Sequence, residues 1–540
     1  MMSIPNGQRP TPKGAPVRAC SSLGVGGWKL GVCVFALLTS ACFRQQSPAD
    51  PNIITIAARV GPNTLHPLKA NDEGTARIGQ LMYDSLMDNG DDLRARPRLA
   101  ERIEMPDPTR YVVHLRHGVT FHDGHELTSR DVVFTFSRFL DPAFVSPFKG
   151  AFTVMSAVRA LDDYTVVFDL KAPFPSFPVT NLVPVPIIPD GSDEATLARA
   201  PNGTGPYRLV HYAPDDKVEL TAFSGYWNGP PRNAGVVFKV IPDDTMRGLE
   251  MRKGTADLMV NDVPPDIVYQ MQKSGDFTIV RSPGLDFSYL GFNMRDPVVA
   301  DRRVRQAIGY ATNRDAIVKY LRRDLAHAAT GLLPPQAWAY EPDIFTFTYD
   351  PEKAKQLLDD AGYHDPDGSG PLPRLRLTLK ISTNEEYRVQ STVIQQDLRR
   401  VGIELDVRTY EFATVFADIL KGNFQIMSLQ WVGGAVIDPD ILRRVFHSTQ
   451  VPPVGFNRGH YQNPEVDRLI ERASEAIDEG ERKAFYGAAQ RIIAEDAVYI
   501  PLWNRVNVAV AQKSLEGMHL APSIDFSMLK DVHRQPGNAR

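Results

Sequence analysis

The chain has 540 residues, with 60 Lys or Arg against 64 Asp or Glu, for a formal net charge of −4. Hydrophobic residues make up 43% and charged residues 23%, the balance of an ordinary globular protein. That balance excludes a disordered tail, a collagen-like fibre and a polytopic membrane protein, and the lack of a basic surplus argues against nucleic acid as a partner. The length suggests two or three folded units.

The first segment differs in texture. Residues 1–41 carry Arg9, Lys13, Arg18 and Lys29 and no acid, then an apolar run from Leu30 to Leu38, then Thr39-Ser40-Ala41. A basic region, a short apolar stretch and a small-residue exit predict a secretory signal peptide over 1–41. The run falls short of the ~20 residues of a permanent span. Removing it leaves 56 basic and 64 acidic residues, a net of −8. All three cysteines (Cys20, Cys33 and Cys42) lie within the first 42 residues, so the exported chain cannot form an internal disulfide. Leu38-Thr39-Ser40-Ala41-Cys42 resembles the lipobox of bacterial lipoproteins, with Thr39 where an aliphatic residue is usual. The resemblance implies lipidation of Cys42. Residues 42–50, polar and turn-rich, would then be a flexible tether.

Further along, Asn52–Arg59 reads as a strand and residues 75–88 as a helix, from the spacing of Ile78, Leu81, Met82 and Leu86. Strands are expected at Tyr111–Leu115 and Val119–His122, a helix over Thr128–Leu140, and a strand at Tyr164–Leu170. Six prolines between Pro173 and Pro189 then interrupt the chain. Strands follow at Tyr207–Tyr212, Val218–Ala222 and Val236–Ile241, then a helix over Asp243–Lys253 ended by Gly254, and a strand fragment Leu258–Val260. Past Pro283-Gly284 the pattern turns to longer helices. Asp301 caps one, Asp350-Pro351 opens another that Gly362 ends, and a third stops at Gly402. Leu375–Ile381 alternates as a half-buried strand, and Ile403–Tyr410 is the next. Asn463-Pro464 opens a helix whose apolar face runs from Val466 to Ile477, and residues 481–496 form another. Helices alternating with strands predict a parallel sheet and the α/β class.

Catalytic signatures fail in turn. No Gly-Lys dipeptide exists, so there is no phosphate-binding P-loop. His125-Glu126 lacks the second zinc-ligating His, because Ser129 stands there. Ser146-Pro147-Phe148-Lys149 lacks a Lys-Thr-Gly partner. Asp365-x-Asp367-x-Ser369-Gly370 begins like a calcium loop, but Arg376 stands where the closing Glu belongs. His114, His117, His122 and His125 could ligate a metal if they converged; their placement in a strand and around turns argues against it. No catalytic residue, metal or cofactor is expected.

A set of ordered phrases points elsewhere. They are Tyr111–Gly124 followed by Leu127–Val132; Asn202-Gly203-Thr204-Gly205-Pro206-Tyr207 followed by Gly225-Tyr226-Trp227-Asn228; Val304-Arg305-Gln306-Ala307-Ile308 with Asn313-Arg314; Asp350-Pro351-Glu352-Lys353-Ala354 with Ala361-Gly362-Tyr363; and Val401-Gly402-Ile403. In this order the chain resembles the family 5 extracellular solute-binding proteins, the peptide- and nickel-binding receptors of ABC importers, over roughly residues 51–520. The resemblance implies a two-lobed periplasmic-binding-protein fold, with 51–283 plus 500–540 as one lobe, 76–185 as an extra domain inserted in it, and 284–499 as the other. Pro283-Gly284 and Ile500-Pro501 would be the hinges.

The same resemblance implies a non-catalytic receptor that traps a peptide or peptide-like solute and delivers it to permease subunits. It would be a monomer held to the membrane by the lipid on Cys42. The expected ligand-facing residues are Trp431, Gly433, Gly434, Trp503, Tyr289, Asn293, Asn63 and Asp438. Gly434 stands where the family's ammonium-pairing Asp falls, and Lys380-Ile381-Ser382-Thr383 has no carboxylate-binding Arg. Those departures leave longer peptides or a non-peptide cargo, such as nickel or a metallophore, open. A secreted hydrolase built on the histidine cluster and Ser146 is the rival reading.

Overall fold

The computed structural model describes residues 52–535 except 71, 369 and 434–436, so the segments read as signal peptide and tether, with Cys42, lie outside the described residues. The strands in chain order are β1 (Ile53–Ala58), β2 (Met87–Asn89), β3 (Ala95–Pro97), β4 (Ala100–Asp107), β5 (Arg110–Leu115), β6 (Met155–Asp162), β7 (Thr165–Leu170), β8 (Tyr207–Ala213), β9 (Lys217–Ala222) and β10 (Gly235–Val240). They continue as β11 (Leu258–Val260), β12 (Phe277–Phe292), β13 (Ala326–Ala328), β14 (Leu375–Ser382), β15 (Ile403–Tyr410), β16 (Ile426–Trp431) and β17 (Tyr499–Gln512).

Eleven of these form one sheet, in the order β15-β14-β16-β12-β17-β11-β1-β10-β9-β8, with β13 added to β17. The sheet is mixed rather than parallel. β1 runs parallel to β10 and β11, and β14 to β15 and β16, while β12 is antiparallel to both β16 and β17. The α/β class stands, but β12 and β17 cross from one half to the other as a long antiparallel pair. Neither was legible as a strand. β17 is buried at nearly every position, so it shows no alternation of polar and apolar residues. A separate antiparallel sheet, β4-β5-β7-β6, carries the helix Ser129–Leu140.

The apolar core changes partners along the crossing strands. Ile500, Leu502 and Trp503 pack in the group that holds Ile308, Leu377 and Ile394. Val506, Val508 and Val510 pack instead with Ala57, Met251 and Met259. On β12 the pairing with β17 slips between Pro283 and Phe287, and Leu285 there enters a group with Phe287, Tyr289 and Trp431.

Local signals read from the sequence hold where they are local. The Asp301 carboxylate accepts from Arg303 N–H at 2.8 Å, Asp350 accepts from Lys353 N–H at 2.9 Å, and Gly254 and Gly362 take φ of 72° and 91° past their helices. Three expectations fail. The helix expected over 75–88 is Glu73–Met82, and its apolar continuation becomes β2. Val119–His122 forms no strand, only a bridge between Thr120 and Glu126. The helix from Asn463 stops at Glu475, which leaves Ile477 46% exposed.

Candidate ligand-binding cavity

A cavity of about 500 Å³ lies between two sets of walls. One set comes from the first half of the chain: the helix Glu73–Met82, β2, and loops around Phe148 and Pro184. The other is the segment Ile437–Arg444. Its size is that of a small-molecule site. Apolar residues such as Met87, Phe148 and Ile441 supply much of the lining, and Asp88, Arg98, Asp438, Asp440, Arg444 and Asp525 supply charge.

The charged wall is built outward from Asp84, which is buried. Its carboxylate accepts from Arg98 Nε at 2.6 Å, Trp227 Nε1 at 2.9 Å, the Thr204 hydroxyl at 3.0 Å and the Tyr226 hydroxyl at 3.2 Å. A buried carboxylate needs such partners, because an unpaired one would be costly. Arg98 then reaches Asp88 at 2.7 Å and Asp525 at 3.5 Å, so one guanidinium carries two cavity carboxylates. Burial pushes the Asp88 carboxyl upward, Arg98 opposes this and the neighbouring Asp525 adds to it.

Two further phrases of the sequence lock the same corner. Cβ atoms on Gly203 and Gly205 would stand 2.1 Å from Met82 O and 2.5 Å from Met82 C, so only glycine lets this loop lie on the end of the helix. His122 fastens the loop from the other side: its N–H donates to Gly203 O at 2.8 Å, and its ring Nε2 lies 2.9 Å from Gly205 O. The four histidines do not converge. His117 packs on Tyr164 and His125 on Phe121, while His114 lies 3.5 Å from Glu104. Among the described residues no group of three or more His, Cys, Asp or Glu could hold a metal ion.

Of the eight expected ligand-facing residues, Asp438 lines the cavity. Burial, with Asp440 beside it, pushes its carboxyl up to about 6. It accepts from Asp440 N–H at 2.8 Å. Trp431 closes β16 with Phe456 5.4 Å away and the Arg458 guanidinium 4.6 Å from its ring. Trp503 is 1% exposed and sits in the core, its Nε1 donating to Gln390 at 2.7 Å and Arg322 lying 4.2 Å from its ring. Tyr289 is fully buried against Tyr499 and takes a hydrogen bond from Arg458 at 3.2 Å. Asn293 spends its amide on the carbonyls of Gly422 and Phe424. Asn63 is exposed, with its N–H on Thr75 Oγ1 at 3.1 Å. Gly433 N–H donates to Asp286 at 2.8 Å, and Gly434 lies outside the described residues. None of the other six described residues is among those that line the cavity. Sequence reasoning missed Asp84, Arg98, Asp88 and Asp525, whose partners come from as far as residue 525.

The two halves of this α/β chain exchange long strands and enclose a cavity of small-molecule size. The chain matches the bacterial extracellular solute-binding proteins, family 5, over residues 94–452, and it belongs to that family. It is a solute-binding protein, not an enzyme. The oligopeptide-binding protein AppA of Bacillus subtilis is 28% identical over 91% of this chain and 95% of its own length. The dipeptide-binding protein of Escherichia coli is 29% identical over 79% of this chain and 84% of its own. The structure of the B. subtilis AppA in complex with a nonapeptide superposes with a TM-score of 0.75 at 27% identity, covering 89% of this chain and 98% of that one. No helix of the described residues is long and apolar enough to cross a membrane.

Proposed function

We propose that this protein is the receptor of an ABC import system that captures a peptide or peptide-like solute and hands it to the permease. The observation that carries the reading is the cavity itself, walled by residues 67–186 and 523–525 on one side and by 437–444 on the other. On this reading 51–283 with 500–540 forms one lobe, 76–185 is inserted in it, and 284–499 forms the second. Closure bends the chain near Pro283-Gly284 and Ile500-Pro501. Asp438, on the cavity wall, supplies the carboxylate that Gly434 lacks for a cargo ammonium. Residues 1–41 direct export to the periplasm or cell envelope, and a lipid on Cys42 keeps the monomer beside its permease. The peptide-binding relatives support the cargo class.

Thermal unfolding of the chain from Phe43 onward, refolded to strip bound cargo, with and without a pool of random short peptides, tests it. A ligand at a hundred times its dissociation constant adds about 2.7 kcal/mol, enough to raise the midpoint visibly. No rise with peptides of two to nine residues rejects a peptide cargo.

A further inference from the structure

The β2–β3 hairpin, whose first strand brings Asp88 to the charged wall, does something at its tip that a turn does not require. Its loop closes on itself through Gly90 N–H to Arg94 O and Leu93 N–H to Gly90 O, both 2.9 Å. Leu93 in that loop takes φ of +60°, a conformation ordinarily left to glycine or asparagine. Yet its side chain is 1% exposed, buried in the apolar group that holds Leu469, Ala473, Tyr486 and Ala489. Every other fully buried member of that group lies at residue 285 or beyond. The next residue, Arg94, makes a two-pronged contact with Glu479, at 2.6 and 2.8 Å. A second tie runs nearby, where buried Arg482 donates to the hydroxyl of buried Ser176 at 2.8 Å. None of Leu93, Arg94, Ser176 and Arg482 lines the cavity, but the same hairpin supplies Met87, Asp88 and Asn89 to its wall.

We infer that the tip of this hairpin is a clasp that holds the two lobes shut independently of cargo, an inference that rests on the lobe assignment proposed above. A strained backbone persists where the surroundings over-determine it, and here the pocket that takes the Leu93 side chain lies on the other lobe. Opening would pull an apolar side chain into water and separate Arg94 from Glu479. The clasp therefore sets the ligand-free fraction that is closed, and through it the apparent affinity for every cargo alike.

The chain from Phe43 onward has no cysteine, so Leu161→Cys and Val454→Cys, at exposed positions on the two sides, accept a spin-label pair. Pulsed electron resonance on the cargo-stripped protein then reports closed and open distances with no ligand present. Leu93→Gly is the decisive change, because glycine suits a φ of +60° and preserves the turn while deleting the anchor. The clasp predicts a substantial closed population in the parent, lowered at least about tenfold relative to open by Leu93→Gly. Arg94→Ala, which leaves the core intact, should lower it about two- to fivefold, as expected for an exposed ion pair. An unchanged distance distribution in both variants overturns the clasp, and so does a parent that is wholly open without cargo. Neither outcome bears on whether peptides bind.

Discussion

The carboxylate of Asp84 holds Arg98 by its Nε at 2.6 Å, while the same guanidinium reaches the cavity carboxylates of Asp88 and Asp525. A fully buried acid thus fixes the one cation on which that wall of the cavity depends, and it does so while gathering Thr204, Tyr226 and Trp227 from two distant segments.

Asp84→Ala should therefore be among the most damaging single changes in the chain. Removing one partner of a buried pair typically costs about 3–5 kcal/mol, because the other charge stays buried. Urea unfolding should show that loss, against less than about 1 kcal/mol for removal of the exposed Arg102–Glu104 pair.

The glycines of the Asn202–Tyr207 loop make a steric prediction. Gly205→Ala puts a methyl against the backbone of Leu81 and Met82, and at Gly203 the clash is with Met82 O. Each should lose at least about 1–3 kcal/mol, as overpacked sites do. Gly150, where a Cβ would meet nothing within 4 Å, should tolerate alanine in the same thermal-unfolding assay.

Asp438 should make the protein less stable as pH rises. Its folded pKa of about 6 lies above the unfolded value near 3.8, so the folded state holds the proton more tightly. Stability from this group is greatest below the unfolded pKa and declines as pH rises toward 6. Asp438→Asn, whose amide oxygen can still accept from Asp440 N–H, should flatten that decline and gain up to about 3 kcal/mol at pH 7. A variant less stable than the parent at pH 7 would rule out the assigned penalty.

His66 should act in the opposite sense. Burial, with Lys69 and Arg138 nearby, lowers its pKa to about 4 from 6.5. The unfolded chain then takes the proton first, so stability is full above pH 6.5 and is lost as pH falls toward 4. His66→Asn can keep the cap to Leu68 N–H, which His66 Nδ1 accepts at 3.2 Å, and should remove about 2–3 kcal/mol of that acid-side loss. Denaturant midpoints at pH 4.5 and 7 measure it.

What the sequence determined by itself was local or cumulative. Asp301, Asp350 and Gly254 mark helix ends because a cap is made with the next few residues, and the ordered phrases identify the family because each is short and contiguous. The α/β class was legible in the same way. Tertiary structure decided the rest. β17 and the second half of β12 are buried on both faces, so they carry no periodic signal, and the antiparallel pairing of the two strands makes the sheet mixed. Trp503 reads as readily as a cavity wall as a core residue, and only the helix Glu385–Arg399, which brings Gln390 to its indole, places it in the core. Asp84 finds its partners 14 to 143 residues away. No spacing rule connects such positions; burial does, because a carboxylate taken out of water must be met by whatever donors the fold brings to it.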